Sequence, residues 1–202
     1  MAKNTHKISD NELLERFASG DQSAFRILVN RYKNALYGFL NKFLSDRNLV
    51  EDVFQDTFIQ LINSLDSFDK SRPLRPWLFT IAANKAKDTL RKRQRRGALS
   101  INAAAEGMEM SFDDMLNVIT STDKTPYDDV DKEETARRVR SVIAELPENS
   151  REILILAYFN KFSYKHMADI LSIPIGTVKS RLHSAVKQFA LSWNSSIGSK
   201  TL

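Results

Sequence analysis

Residues 162–189 read FSYKHMADILSIPIGTVKSRLHSAVKQF, and their apolar spacing predicts two helices joined by a tight turn. Ser163 can cap the first helix, whose inner positions are Met167, Ile170 and Leu171. Ser172-Ile173-Pro174 is the connection, and Pro174 presets the backbone where the second helix begins. That helix runs from about Ile175 to Trp193 and buries Val178, Leu182, Ala185, Val186 and Phe189. Ala168 is small where the two helices approach, and Ile173 and Val178 fill the space between them. The pattern is a helix-turn-helix. It leaves Thr177, Lys179, Ser180, Arg181, Ser184 and Lys187 facing outward. These are the hydroxyls and cations that contact phosphates and base edges in a major groove. An ordinary solvated helix face has the same composition, so spacing alone leaves both readings open.

Upstream, Ala136, Val139, Val142, Ile143 and Leu146 predict an amphipathic helix that stops at Pro147. Asn149 or Ser150 can cap the next helix, with Ile153, Leu154, Leu156 and Ala157 apolar. With the helix-turn-helix these make a C-terminal helical unit over 132–193. Before it, residues 98–131 have weak periodicity, small residues and eight carboxylates against Lys124. They read as a flexible acidic linker, with room for a short helix near Phe112 to Ile119. A structureless stretch of that length argues against one compact domain. Just before the linker, residues 85–96 (KAKDTLRKRQRR) carry seven cations against Asp88. The reversal of sign marks a boundary between two units.

The N-terminal unit, 9–97, reads as four helices. Ser9-Asp10-Asn11-Glu12 has the form of a capping box, and Gly20 suits the first helix's end. Asp21 can cap a second helix with Phe25, Leu28, Val29, Tyr32, Leu36, Phe39, Leu40 and Phe43 apolar. Asp46 or Asn48 opens a third, with Val53, Phe54, Phe58, Leu61 and Ile62 inward. Pro73 and Pro76 break the loop from Lys70 to Pro76, and Trp77 starts a fourth helix that runs into the basic cluster. The fold class expected is all-α, with two small helical domains and a linker between them.

Composition narrows the function. The chain has 202 residues, with Lys+Arg 30 against Asp+Glu 25 and a net charge of +5. It has no cysteine, which removes disulfides, thiolate metal sites and cysteine nucleophiles. The three histidines fall in no catalytic or metal-ligating constellation: His6 lies in the N-terminal tail, and His166 and His183 sit on helices without a carboxylate or serine set. Asp128, Asp129, Asp131, Glu133 and Glu134 read as linker and helix-start charge. No Gly-rich phosphate loop is present. No catalysis, metal or cofactor is expected. No apolar run spans a membrane and the first residues hold no signal core, so a cytoplasmic protein without membrane insertion is expected.

Four segments together carry a family resemblance. SIPIGTVKSRLHSAVK (172–187) resembles region 4.2 of the extracytoplasmic-function group of bacterial sigma factors, in the sigma-70 family. LPENSREILILAYFNKFSYKHMADIL (146–171) is similar to region 4.1 and the start of 4.2. LVEDVFQDTFIQLINSLDSFD (49–69) resembles region 2.2, and RPWLFTIAANKAKDTLRKRQRR (75–96) resembles regions 2.3 and 2.4. The order of the blocks, with no region 3 between them, is that of this group. Lys165 and His166 stand where the family more often has acidic residues, Ala83 where an Arg before the Asn is common, and Ser184 and Val186 where arginines are commoner.

The resemblance implies an alternative sigma factor that binds core RNA polymerase and promoter DNA. Asp52, Gln55, Asp56, Phe58 and Ile62 match the surface that docks on the clamp helices of the polymerase large subunit, and the polymerase flap is a further expected contact. Apart from the resemblance, the two carboxylates read as ordinary charge early in a helix. Arg72 and Arg75 in the loop, with Trp77, Asn84, Lys85, Asp88, Arg91, Lys92 and Arg95, match the part that melts and reads the minus-ten element. A captured base needs a polar-edged pocket, and its strand needs cations. Asn84 and Asp88 are one helical step apart and can face the same strand. Trp77 has a second reading, as a core anchor that shapes the loop. The outward residues of the last helix match the minus-thirty-five reader. The linker would thread the polymerase interior, and an anti-sigma factor would occlude the polymerase-binding surfaces. Two rival readings are a stand-alone helix-turn-helix regulator, which would dimerise on a palindrome, and a helical nuclease that holds substrate on the basic patch.

Overall fold

The structure is a computed structural model that describes residues 8–44, 46–96 and 129–198. The short helix expected near 112–119 and nearly all of the linker lie outside the described residues. Every regular element among the described residues is helical. The N-terminal unit holds α1 (Asp10–Ala18), α2 (Gln22–Leu44), α3 (Arg47–Asn63), a 3₁₀ turn (Leu65–Ser67) and α4 (Leu74–Arg96). The C-terminal unit holds α5 (Asp129–Glu145), α6 (Glu148–Leu154), a π turn (Ile155–Phe159), α7 (Tyr164–Leu171) and α8 (Ile175–Gly198).

Local chemistry sets most of these limits. Ser9 accepts a hydrogen bond from the Glu12 amide, while the Glu12 carboxylate pairs with Arg16 at 2.6 Å, so only half of the capping box forms. Gly20 takes φ +98, a left-handed turn that suits glycine. Asp46 caps α3 by accepting from the Asn48 and Leu49 amides. Two expected starts are corrected. α4 begins at Leu74 rather than Trp77, because Pro76 falls in the first turn, where its missing N–H costs nothing. α6 begins at Glu148 with Pro147 ahead of it, and Ser150 is buried with its hydroxyl donating to Gln188 rather than capping. The C-terminal unit also starts earlier than 132, since α5 takes in residues 129–131.

Leu28, Leu36, Phe39, Leu40 and Phe43 of α2, Val53 and Leu61 of α3, and Leu78 and Phe79 of α4 fill the N-terminal core. Val142, Ile143, Ile153, Leu156, Met167, Val178, Leu182 and Phe189 fill the C-terminal one. The two units also pack on each other. α4 lies between α3 and α7, and α2 touches α5, α6 and the π turn.

Candidate nucleic-acid and partner surfaces

The helix-turn-helix is built as its sequence specifies. Ser163 caps α7 by accepting from the His166 amide. Ser172 closes α7 in the left-handed conformation (φ 53, ψ 45), and the Ile173 amide bonds back to the Ala168 carbonyl at 3.1 Å. Val178 and Leu182 lie in the core beneath α8. Lys179, Ser180, Ser184 and Lys187 are exposed along one side of the helix, and Thr177 and Arg181 are half-buried beside them. The Arg181 charge favours the ionised form of the buried Glu152.

On α3, Asp52, Gln55 and Asp56 are exposed on one face, and Ile62, whose spacing suggested an inward position, is corrected: it joins them at 39% exposure. Phe58 is corrected. It is 6% exposed and its ring meets Phe25 at 5.9 Å and Phe54 at 5.1 Å, so it packs the core and offers no surface. Ile59, one residue on, is 55% exposed and takes that place in the face. Ile59 was given no place by the sequence reading, although one step along a helix from a buried Phe58 is a turn of 100°.

The loop ahead of α4 is held from below by α1. Asn11 donates to the Lys70 carbonyl at 2.8 Å, and Lys70 pairs with Glu15 at 3.1 Å. Asp69 accepts from the Ser71 hydroxyl and amide, which holds its carboxyl below the ordinary range and tightens the turn. Trp77 is half-buried and stacks on Phe68, with centroids 4.5 Å apart, so the anchoring reading describes its position. Its free side lines a cleft of about 570 Å³ with Arg72, Pro73 and Pro76. The opposite wall is Lys165, His166 and Asp169 of α7.

Asn84, Asp88, Arg91, Lys92 and Arg95 are exposed along α4, and Lys85 is half-buried. Arg91 is 3.3 Å from Asp88, and Arg93 reaches Asp46 at 3.0 Å. Arg75 is corrected. It faces the C-terminal unit, donating to the Asn160 carbonyl at 2.8 Å with its guanidinium 4.5 Å from the Phe162 ring. Among the described residues, no group of three or more His, Asp or Glu side chains could hold a metal ion. No helix there is long and apolar enough to cross a membrane.

Two helical units, the second a helix-turn-helix with an exposed cationic face, match two family regions. Sigma-70 region 2 matches residues 28–96, and Sigma-70 region 4 matches residues 136–189. The ECF RNA polymerase sigma-E factor of Haemophilus influenzae is 35% identical over 89% of this chain and 92% of its own length. The ECF RNA polymerase sigma factor SigW of Bacillus subtilis is 32% identical over 84% of this chain and 89% of its own. The fold is similar to CnrH, solved in complex with the cytosolic domain of CnrY (TM-score 0.65, 28% identity, 92% of this chain and 97% of that one). It is also similar to RpoE of Bartonella quintana, solved with the anti-sigma factor NepR (TM-score 0.62, 25% identity, 84% of this chain and 96% of that one). The chain belongs to the extracytoplasmic-function group of the sigma-70 family, and it is an alternative sigma factor directing transcription initiation.

Proposed function

We propose that the N-terminal unit docks this sigma factor on core polymerase through α3 and opens the minus-ten element with α4, while α8 reads the minus-thirty-five element. The observation that carries the docking assignment is the α3 face. Asp52, Gln55 and Asp56 lie beside Ile59 and Ile62, two large apolar side chains left in water. Such a mixed face suits a basic, partly apolar helical partner, and the clamp helices of the polymerase large subunit are the partner we assign to it. For duplex DNA, Lys179, Ser180, Ser184 and Lys187 supply cations and hydroxyls from one accessible side of α8. For a single strand, Asn84, Lys85, Asp88, Arg91, Lys92 and Arg95 line α4, and Arg72 and Trp77 border the cleft ahead of it. A linker lets two weak modules reach two separated elements together, so affinity comes from effective concentration. The relative solved with the anti-sigma factor NepR supports an anti-sigma factor for this chain, acting in the cytoplasm with the polymerase.

The roles separate by mutation. Lys179→Ala with Ser180→Ala should weaken holoenzyme binding to its promoter by about 1–3 kcal/mol and leave polymerase co-elution intact. Asp52→Ala with Gln55→Ala should weaken co-elution with core polymerase, and the promoter shift should then recover when core is raised in excess. Electrophoretic shifts of holoenzyme on promoter fragments and co-elution of sigma with core polymerase are the two readouts. Unchanged assembly of the Asp52/Gln55 double variant would remove α3 as the docking face.

A further inference from the structure

The first turn of α8 is Ile175-Gly176-Thr177-Val178, an unusual composition for a helix start that faces water. The positive end of a helix dipole favours carboxylates. α1 has Asp10 and Glu12 in its first turn and α6 has Glu148, whereas α8 has no acidic residue there. Pro174 ahead of the turn is also exposed, so α8 begins with an uncharged edge.

The two isoleucines that flank Pro174 do different work. Ile173 is half-buried against the core, and its amide bonds back to the Ala168 carbonyl at 3.1 Å. Val178 closes the core beneath α8. Ile175 lies outside that packing, with 44% of its surface in water. Gly176 is the second anomaly. Its φ is not positive, so no left-handed turn requires a glycine. A Cβ built there would meet nothing within 4 Å, so no neighbour in the chain requires one either. A glycine within a helix is destabilising relative to alanine. What this one provides is bare backbone on the accessible side of α8. Ile175 and Gly176 precede Lys179 and Ser180 by four residues, so each stands one helical turn ahead of an exposed residue of the DNA face.

A recognition helix enters the major groove with its N-terminal residues against base edges. Among the groups displayed there, the thymine C5 methyl is the apolar one. An isoleucine side chain complements that methyl and offers nothing to a phosphate. We propose that Ile175 packs on the C5 methyl of a thymine in the minus-thirty-five element, and that the bare backbone at Gly176 lets the base pair come close enough for this contact. The contact rests on the reading of α8 as the minus-thirty-five reader. It makes Ile175 a specificity-determining residue, since a methyl contact separates A·T from G·C pairs and a lysine on a phosphate does not.

The test uses holoenzyme on a promoter fragment that it selects from genomic DNA. Each thymine on either strand of the minus-thirty-five element is replaced in turn by deoxyuridine, which removes the methyl and keeps the pairing. At one position the parent should bind about fourfold more weakly, the worth of one methyl kept from water. Ile175→Ala holoenzyme should bind the unmodified fragment more weakly and should not distinguish thymine from deoxyuridine at that position. Ile175→Val should restore part of the discrimination. Gly176→Ala should raise the denaturation midpoint of the free chain, yet weaken promoter binding about tenfold, as a mismatched base pair does. Co-elution with core polymerase checks that each variant is folded. If no replacement weakens the parent, or if parent and Ile175→Ala weaken equally, the methyl contact is overturned. Parental promoter affinity in Gly176→Ala would overturn the clearance. Lys179→Ala with Ser180→Ala tests the premise: should that pair also leave promoter binding unchanged, α8 is not the reader. Should it weaken binding while Ile175→Ala does not, only the roles of Ile175 and Gly176 fall.

Discussion

Glu152 shows how one side chain couples charge to packing. Burial pushes its carboxyl pKa up, Lys87 across the interface partly offsets this, Glu148 on the same helix adds to it, and Arg181 of α8 opposes it. A carboxyl raised in the packed state contributes stability that is complete below its ordinary pKa and is lost as pH rises through the raised one. Thermal stability should therefore fall across that window, and Glu152→Gln should remove this part of the slope in calorimetry run over a pH series. Ser172 is a second informative residue. It holds φ 53 at the end of α7, where an L-residue is strained by about 1–2 kcal/mol. Ser172→Gly should raise stability by up to about 1 kcal/mol, and Ser172→Val should lower it, in chemical denaturation followed by circular dichroism. At this scale the sequence was legible where a residue acts on its neighbours, as with the caps Ser163 and Asp46. At Phe58 the apolar spacing was right and the match to a docking surface was not, since the ring packs on Phe25 and Phe54, whereas at Ile62 the spacing pointed inward and the side chain is exposed.

At the scale of the element, α4 has three sides with different work. One carries Leu78 and Ala82 into the N-terminal core, one exposes Asn84, Asp88 and Arg91, and one meets the C-terminal unit through Arg75, Phe79 and Lys87. Periodicity revealed the first, and charge and resemblance pointed to the second. The third was hidden, because a cation that binds a distant carbonyl looks in sequence like a cation that binds phosphate. The α4 start was misplaced for a related reason. Pro76 ends a helix that precedes it, yet at the first turn it costs no hydrogen bond, so Leu74 can lead. The helix-turn-helix was almost wholly readable, since its turn, cap and plug residues lie within one short segment.

For the whole molecule, the consequence is cooperativity. Two units that share Phe79, Phe162 and the Lys87–Glu152 pair should unfold together. The full chain should give a single calorimetric transition, and Glu152→Lys, by separating the units, should split it in two. A split in the parent chain would mean that the interface adds little to stability. The acidic linker made two independent domains the natural expectation. The packing of α4 on α7 brings those domains together instead.

The sequence alone determined the number and order of the helices in both units, the caps Ser9, Asp46 and Ser163, the helix-turn-helix and the family, because each rests on neighbours a few residues apart or on motifs with fixed spacing. The tertiary structure decided which face of α3 meets solvent, that Arg75 turns inward to Asn160, and that Glu152 is buried against Lys87. Arg75 and Asn160 are separated by 85 residues. No local pattern encodes such a contact, since it exists only once two finished surfaces meet.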